Sequence, residues 1–289
     1  MPAARLDAGA RDALLARLRD PRWELLPLKS SLERAALLPP GAVVTVTASP
    51  GKPIEATCRV AGELAARGFR AVPHLAARMI RDRSHLQQLV ALLRDGGIDG
   101  AFVIGGDAED PGAYADAAML LRDLVEMDHP FGEIGVGAYP QGHPLIPIDR
   151  LNAALAEKAE LATYMTTQMC FDAVALTTWL RERRAAGVSL PLYVGVPGVL
   201  QAHRLLEISA RIGVTDAGRF VRRHAPLVRR LLRPRGYRPD GLLMEIAPLL
   251  ADPAAGARGL HLFTFNQVGA TRDWLTDFMA GLAGAPARP

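Results

Sequence analysis

Short apolar runs rich in β-branched residues alternate with longer amphipathic stretches along most of this chain. The short runs predict eight strands, at residues 23–26, 43–47, 71–75, 100–104, 134–139, 164–169, 192–196 and 260–263. Between them, apolar residues recur at helical spacing and predict helices at residues 32–38, 53–67, 84–95, 114–127, 149–162, 173–186 and 201–212. Strands that alternate with helices indicate parallel pairing through right-handed crossovers.

The predicted elements favour one closed barrel. Two extra helices, at residues 218–232 and 240–250, precede the eighth strand, and a last helix at residues 271–282 follows it. Eight strand–helix units in 289 residues match a (β/α)8, or TIM, barrel better than an open doubly wound sheet. No linker-like composition divides the chain. We therefore expect a single catalytic domain over residues 1–289, with an N-terminal helix in residues 1–20 and a frayed tail at residues 284–289.

Composition and charge exclude several classes of protein. Hydrophobic residues make up 49% and charged residues 22%, with a formal charge of +4, which is ordinary for a globular protein. The densest basic run, between Arg222 and Arg235, is interleaved with Leu and Pro and has no aromatic stacking groups, so we interpret it as a solvated helix face and expect no nucleic-acid partner. Two distant cysteines predict neither a disulfide framework nor a metal site. No apolar run resembles a signal peptide or a membrane span, so we expect a soluble cytoplasmic protein.

Polar residues cluster where the predicted strands end. In a parallel barrel the C-terminal ends of all strands meet at one mouth, where this architecture carries its chemistry. The residues that the predicted boundaries place there are Glu24, Thr47, His74, Asp107, Tyr139, His143, Gln168, Asp172, Asn266 and Gln267. A barrel built only for stability has little use for such a set, so the pattern predicts a functional site at this mouth.

Eight short segments near these strand ends form an ordered series. They are Trp-Glu-Leu-Leu-Pro from residue 23, Val-Thr-Val-Thr from 44, Val-Pro-His-Leu from 72, Gly-Gly-Asp from 105, Ala-Tyr-Pro from 138 with His-Pro from 143, Thr-Gln-Met-Cys-Phe-Asp from 167, Val-Pro-Gly from 196 and His-Leu-Phe-Thr-Phe-Asn from 261. No single segment is specific. In this order and at this spacing, over residues 23–267, they resemble the methylenetetrahydrofolate reductase family, whose members interconvert 5,10-methylenetetrahydrofolate and 5-methyltetrahydrofolate.

The resemblance implies a role for each matching residue. Glu24 corresponds to the general acid, and Asp107 to the carboxylate that contacts the pterin and steadies the cation formed there. Gln168 and Phe265 match substrate-binding positions. The positions that hold the flavin in relatives are matched by Thr47, His74, Gly105, Gly106, Asp107, Tyr139, His143 and Lys158. The implied ligands are FAD as cofactor, NADH or NADPH as co-substrate, and tetrahydrofolate derivatives as substrates.

Elementary chemistry supports the two carboxyl roles independently of the resemblance. A methylene carbon bonded to two nitrogens accepts hydride poorly until one C–N bond breaks, which requires a proton donor and an anion near the developing positive charge. Glu24 lies in an apolar strand, where an inward orientation would desolvate the carboxyl and favour its protonated form. Asp107 follows two glycines, whose small size lets a ligand approach the backbone.

Three departures from the family pattern concern mainly the flavin site. Gly105 stands where relatives usually have an arginine that helps to hold the flavin phosphates. Leu25-Leu26 and Lys29 replace aromatics and a second proline, and Asn152 or a neighbour stands near an expected acidic position. The folate-site positions are nearly unaffected.

Two routes for the hydride therefore stay open. FAD is the favoured carrier because four matched positions remain, namely His74, Tyr139, His143 and Lys158. The alternative resembles a flavin-free branch of the family, in which the nicotinamide occupies the flavin's place and transfers its hydride directly.

Other functions fit parts of the sequence. A folate- or flavin-binding protein without catalysis would keep Gln168 and Asp107 but would not need a proton donor at Glu24. A phosphate-binding aldolase or synthase would carry glycine-rich turns after strands seven and eight, of which Val196-Pro197-Gly198 is only a faint version. No lysine at a strand end suggests a Schiff base.

Structural roles are the competing interpretation for individual residues. Glu24 could be an ion-pair partner, and Asp107 could shape a turn. His74 and His143 could be satisfied structural histidines, and Tyr139 a core aromatic. The oligomeric state is left open by the sequence.

Overall fold

The computed structural model describes residues 6–49, 51–143, 145–199 and 237–284. Eight parallel strands form a closed barrel in chain order, so the predicted (β/α)8 fold is confirmed. The strands are β1 (Arg22–Leu25), β2 (Val43–Val46), β3 (Arg70–Ala76), β4 (Gly100–Ile104), β5 (Glu133–Ala138), β6 (Tyr164–Thr167), β7 (Leu192–Pro197) and β8 (Ala257–Phe263). β1 closes the barrel by pairing with both β2 and β8.

Helices alternate with the strands. The described ones are α1 (Ala8–Leu18), α2 (Ser31–Ala35), α3 (Ile54–Ala65), α4 (Arg83–Asp95), α5 (Ala117–Glu126), α6 (Ile148–Ala159), α7 (Ala173–Ala185), α8 (Asp240–Ala251) and α9 (Val268–Leu282), with short 3₁₀ helices at Ala77–Met79 and Pro253–Ala255. The helix predicted at residues 240–250 is therefore confirmed. The helices predicted at residues 201–212 and 218–232, and the basic run from Arg222 to Arg235, lie outside the described residues.

Some predicted boundaries were wrong for local reasons. β8 begins at Ala257 rather than at residue 260, so Gly259 lies inside the strand. A Cβ at Gly259 would be 2.9 Å from Tyr193 Cε1, so the neighbouring ring requires glycine there. A glycine that resembles a turn signal in the sequence thus makes room for an aromatic inside the barrel. α5 begins at Ala117 rather than at residue 114, because the Asp116 side chain caps it by accepting from the Met119 backbone N–H.

Successive side chains along each strand point alternately into the barrel interior and into the layer under the helices. In β1, Trp23 and Leu25 belong to the main apolar core between sheet and helices. A smaller apolar cluster of Val43, Val72, Phe102 and Tyr164 comes from four different strands. Strands buried on both faces contain long apolar runs, which is why periodicity revealed them.

A buried cation occupies the amino-terminal end of the barrel. The Arg22 guanidinium carbon lies 4.1 Å from the Tyr164 ring centroid and 4.0 Å from that of Tyr193, and Nη2 donates to Glu133 Oε2 at 2.8 Å. Arg22, Glu133 and Tyr164 are each the first residue of their strand. These partners make this end of the barrel a packed floor, opposite the mouth where the strands end.

Cys58 and Cys170 are free, buried thiols. Burial raises the pKa of both thiols to about 12, so neither is a reactive thiolate near neutral pH. Within the described ranges, no helix combines the length and the apolar character needed to cross a membrane.

Candidate active site

Glu24 lies inside the barrel near the mouth end of β1, with 11% of its side chain exposed. Its Oε2 atom is 3.2 Å from His261 Nε2 on β8 and 3.9 Å from His74 Nε2 on β3. The nearby Arg22 bonds to Glu133 instead, so among the described residues Glu24 has no arginine or lysine partner. Its carboxyl group is therefore held between two imidazoles rather than in a lysine or arginine ion pair.

The imidazole of His74 is uncharged near neutral pH. Its ring centroid lies 4.8 Å from that of Phe102, and the residue is buried. Burial lowers the pKa of His74 to about 4, which outweighs the opposite effect of Glu24, and His261 lowers it further. A neutral His74 places no full positive charge beside the Glu24 carboxyl group.

The end of β8 holds the end of β1 through side chains. Thr264 Oγ1 donates to the Glu24 carbonyl oxygen at 2.6 Å. Asn266 Oδ1 accepts from the Leu26 backbone N–H at 2.8 Å. Phe265 and Asn266 have φ of 49° and 60°, a left-handed conformation that is uncommon outside glycine. These contacts fix the backbone at Glu24 and two residues after it.

Several buried polar atoms on the barrel strands and at their ends have no hydrogen-bond partner within the described part of the chain. They are Thr45 Oγ1, Thr47 Oγ1, Thr166 Oγ1, His74 Nε2 and His261 Nδ1. Thr45 pairs with Glu24 across the sheet, so its side chain faces the same interior. A buried polar atom without a partner costs about 1–3 kcal/mol. The set fits a ligand with hydrogen-bonding groups along its edge.

A tight loop after β4 carries Asp107. Gly106 has φ of +84°, and a Cβ there would lie 3.0 Å from Ala76 Cβ, so both the backbone and the available space require glycine. The Arg78 guanidinium donates from Nε and Nη2 to two carbonyl oxygens of the loop, at 2.6 and 2.7 Å. The loop is thus anchored from below, while Asp107 itself is exposed.

Tyr139 and His143 follow β5 and lie within electrostatic reach of Asp107. Their ring centroids are 5.7 Å apart with an interplanar angle of 87°. Burial raises the pKa of Tyr139, and Asp107 raises it further. Burial also lowers the pKa of His143, more strongly than Asp107 raises it. Near neutral pH the cluster therefore offers an uncharged phenol and an uncharged imidazole beside a carboxylate.

Gln168 lies directly after β6 and is half-buried. Its backbone N–H donates to Ala138 O at 2.7 Å, which ties it to the end of β5. Its Oε1 atom accepts from the Met169 backbone N–H at 2.9 Å. With the oxygen committed, the amide nitrogen is the group that the side chain can offer to a ligand.

Two residues matched to the flavin site, Lys158 and Gly105, offer no cation that is free to bind a ligand. Lys158, in the last turn of α6, donates from Nζ to Gly137 O at 3.0 Å. Burial lowers the pKa of Lys158 to about 8, with Asp116 acting in the opposite direction. Gly105 has nothing within 4 Å of the point where a Cβ would lie, so there is room for a larger side chain but no charge.

The structure brings the sequence-predicted residues together in two groups. Glu24 lies with His74 on one side of the mouth, and Asp107 lies with Tyr139 and His143 on another, while Gln168 follows β6. All eight strands are parallel, so both groups lie at the same end of the barrel.

Sequence reasoning assigned no role to His261 or Thr264. Both lie in the last of the eight segments, and alternation in β8 was the signal that could have found His261, because Gly259, His261 and Phe263 share one face. Inward-facing polar residues on two strands that must pair to close the barrel are candidates for direct contact.

Comparisons with known proteins give one family match, two curated relatives and a structural neighbour. A family model described as "Methylenetetrahydrofolate reductase" matches residues 25–277. The "Methylenetetrahydrofolate reductase 1" of Schizosaccharomyces pombe is 29% identical over 137 residues, which are 46% of this chain and 22% of that protein. A "tRNA-2-methylthio-N(6)-dimethylallyladenosine synthase" of Xanthomonas oryzae pv. oryzae is 27% identical over 174 residues, 54% of this chain and 34% of that protein.

The matched region is thus about a fifth to a third of the length of these two curated relatives. Among solved structures, a GH18 chitinase from Cycas revoluta in complex with (GlcNAc)3 superposes with a TM-score of 0.52 at 12% identity. The match covers 91% of this chain and 99% of that chain. At this identity the likeness shows the barrel fold alone.

Proposed function

The chain belongs to the methylenetetrahydrofolate reductase family, and on this premise we propose that it transfers a hydride between a nicotinamide nucleotide and a folate-bound one-carbon unit. The substrate pair is 5,10-methylenetetrahydrofolate and 5-methyltetrahydrofolate. The single observation that carries the proposal is the position of Glu24: near the mouth, nearly buried, and bonded to imidazole instead of a cation.

Glu24 is the proton donor of the proposed reaction. Protonation of one of the two nitrogens that flank the methylene carbon breaks that C–N bond and leaves an iminium ion on the other nitrogen. The iminium carbon then accepts the hydride and becomes the methyl group. General acid catalysis of this kind contributes about 10²–10⁴-fold to the rate.

Asp107 and Gln168 hold the pterin in this proposal. The exposed Asp107 carboxylate, on a loop anchored by Arg78, steadies the positive charge of the iminium ion. The Gln168 amide nitrogen, left over after Oε1 bonds to Met169, donates to the edge of the pterin ring. Phe265, in the turn beside Asn266, packs against the substrate.

FAD is the carrier that the family resemblance implies, and it would supply a ring able to take a hydride from NADH or NADPH and pass it on. Thr47 and His74 offer polar atoms without partners in the described chain to a ring edge, and Tyr139 and His143 line the mouth. These residues, with the backbone of Gly105 and Gly106, would hold the flavin ring.

Direct transfer from the nicotinamide is the second candidate, and one observation favours it. Gly105 replaces the arginine expected to hold the flavin phosphates, and the Lys158 ammonium is already bonded to Gly137 O. A nicotinamide ring would use the same polar edge. A visible absorption spectrum of purified protein separates the two routes: a flavin band supports FAD, and full activity in colourless protein supports direct transfer.

Replacing Glu24 with glutamine tests the proposed function. Because glutamine keeps the shape but cannot donate this proton, E24Q should lose about 10²–10⁴-fold in turnover while it still binds methyltetrahydrofolate. Glu133→Gln is the matched control, since it changes a barrel glutamate at the opposite, floor end. Wild-type turnover in E24Q would exclude Glu24 from the chemistry, and folate binding without any wild-type turnover would favour a non-catalytic binding protein.

A further inference from the structure

We propose that His261 is the positioning residue for Glu24: it donates a hydrogen bond from Nε2 to Glu24 Oε2 and leaves Oε1 to carry and deliver the acid proton. The proposal rests on the proposed function, in which Glu24 is the proton donor. The two atoms lie 3.2 Å apart and belong to the adjacent strands β8 and β1.

The surroundings of His261 select the tautomer that donates from Nε2. His261 is 1% exposed, and its Nδ1 atom is buried without a partner in the described part of the chain. A proton on Nδ1 would create a buried, unpaired N–H group, which is rarer in native proteins than an unpaired acceptor. A proton on Nε2 is used in a hydrogen bond, so this arrangement is favoured.

The two oxygens of Glu24 then have different tasks. Oε2 lies between His261 and His74, whereas Oε1 makes no hydrogen bond to any described residue. The side chain keeps 11% of its surface exposed, and Oε1 is the oxygen left without a described partner for a ligand in the mouth. Because His261 donates to Oε2, the acid proton lies on Oε1.

The same hydrogen bond grows stronger as the proton leaves. While Glu24 is protonated at Oε1, His261 donates to a neutral carboxyl oxygen. Once the proton has passed to the substrate nitrogen, His261 donates to a carboxylate, and such charge-assisted bonds are roughly twice as strong. An interaction that is stronger after proton transfer than before it lowers the barrier to that transfer.

The other groups around the carboxyl do not supply this donor. His74, on β3, faces the same oxygen from 3.9 Å, beyond hydrogen-bond distance, and is uncharged near neutral pH. Thr45, on β2, is uncharged, and Arg22, on β1 itself, is bonded to Glu133. The His261 ring is held edge-on to Phe263, with centroids 4.8 Å apart at 65°, so its orientation is fixed by packing.

Two variants separate the hydrogen bond from the bulk of the ring. His261→Phe fills the space without a donor and should lower kcat about 10- to 100-fold, the loss expected for one hydrogen bond to a charged group, with little change in KM for the folate. The alkaline limb of its kcat profile should move to higher pH, because the carboxylate that forms has lost its donor. His261→Gln restores an N–H donor and should recover most of the rate and the original limb.

His85 provides a matched control. It is also buried and bonded to a glutamate, with Nε2 3.0 Å from Glu55 Oε1, but it lies in the helical layer between α3 and α4. His85→Phe should lower the melting temperature without moving the alkaline limb. A wild-type kcat in His261→Phe, or equal losses in His261→Phe and His261→Gln, would overturn the positioning role.

Nitrogen NMR of the histidine-labelled full chain tests the proposal without any activity assay. The His261 ring, assigned by comparison with His261→Gln, should carry its proton on Nε2. An Nδ1-protonated ring would refute the hydrogen-bond assignment. If the tautomer is as expected but the wild type reduces no folate, the proposed function fails while the Glu24–His261 geometry stands.

Discussion

Replacing Asn266 with alanine removes the brace between the ends of β8 and β1. The Asn266 side chain accepts from the Leu26 N–H at 2.8 Å and donates to Leu26 O at 3.4 Å. Its φ of +60° lies in the left-handed region, which asparagine tolerates better than alanine. The backbone carbonyl oxygen of Asn266 also accepts a hydrogen bond from the Arg34 side chain. The brace sets where the chain leaves the barrel two residues after Glu24.

The expected cost has two parts. Without the Asn266 side chain, the Leu26 N–H loses its partner, which costs about 1–3 kcal/mol for a buried group. Alanine in the left-handed conformation adds about 1 kcal/mol relative to asparagine. Asn266→Ala should therefore lower the free energy of unfolding by about 2–4 kcal/mol. Asn266→Gly loses the same hydrogen bonds but not the strain, and should be more stable than the alanine variant even though glycine gains unfolded-state entropy.

Equilibrium urea unfolding of wild type and both variants measures these differences, provided that the m-values agree. Both variants should also lose kcat, because the Glu24 backbone is no longer held from the mouth side. Wild-type stability in Asn266→Ala would refute the brace. A glycine variant less stable than the alanine variant would refute the contribution of the left-handed backbone.

Two further predictions concern the barrel interior. Gly135→Ala should lower stability by about 1–3 kcal/mol in a thermal melt, because the added Cβ would lie 2.2 Å from the Tyr164 ring. Gly105→Ala, where the added Cβ would meet open space, should change stability by less than about 0.5 kcal/mol. Equal effects of the two substitutions would contradict the packing argument. Because burial lowers the pKa of His74 in the folded chain to about 4, against an ordinary value of 6.5, the unfolded chain takes up this proton first, and stability is lost as pH falls from 6.5 towards 4. Urea unfolding should show wild type losing up to about 3 kcal/mol relative to His74→Gln over that range, and parallel pH curves would rule this out.

The fold was predictable because the strands of a parallel barrel are buried on both faces. Each therefore stands out as a compact apolar run between amphipathic helices, and β4 was predicted with its observed bounds, Gly100–Ile104. The start of β8 was predicted three residues too late because that part of the strand is not an apolar run. Arg258 and Gly259 look like a loop in the sequence, and only the Tyr193 ring on the neighbouring strand explains why glycine stands inside a strand.

The sequence could nominate the residues of the candidate site one by one, but it could not show which of them are in contact. Strand ends and the family resemblance led to Glu24 and Asp107 at one mouth. The contact between Glu24 and His261, residues 237 positions apart, depends on the register in which β1 closes on β8. Alternation shows that both side chains face inward, but no local pattern shows which inward-facing side chains meet.

Arg22 and Glu24 show how the environment assigns opposite tasks to two inward charges on one strand. Arg22 has a carboxylate 2.8 Å from its Nη2 atom and an aromatic ring on each side, although its Nε and Nη1 atoms have no partner in the described chain. The ion pair and the two rings give this charge a structural task. Glu24 has only imidazoles within 4 Å as charged or chargeable partners in the described chain, one of them neutral near pH 7. The difference in partners, rather than the difference in burial, is what separates the structural charge at the floor from the proposed proton donor at the mouth.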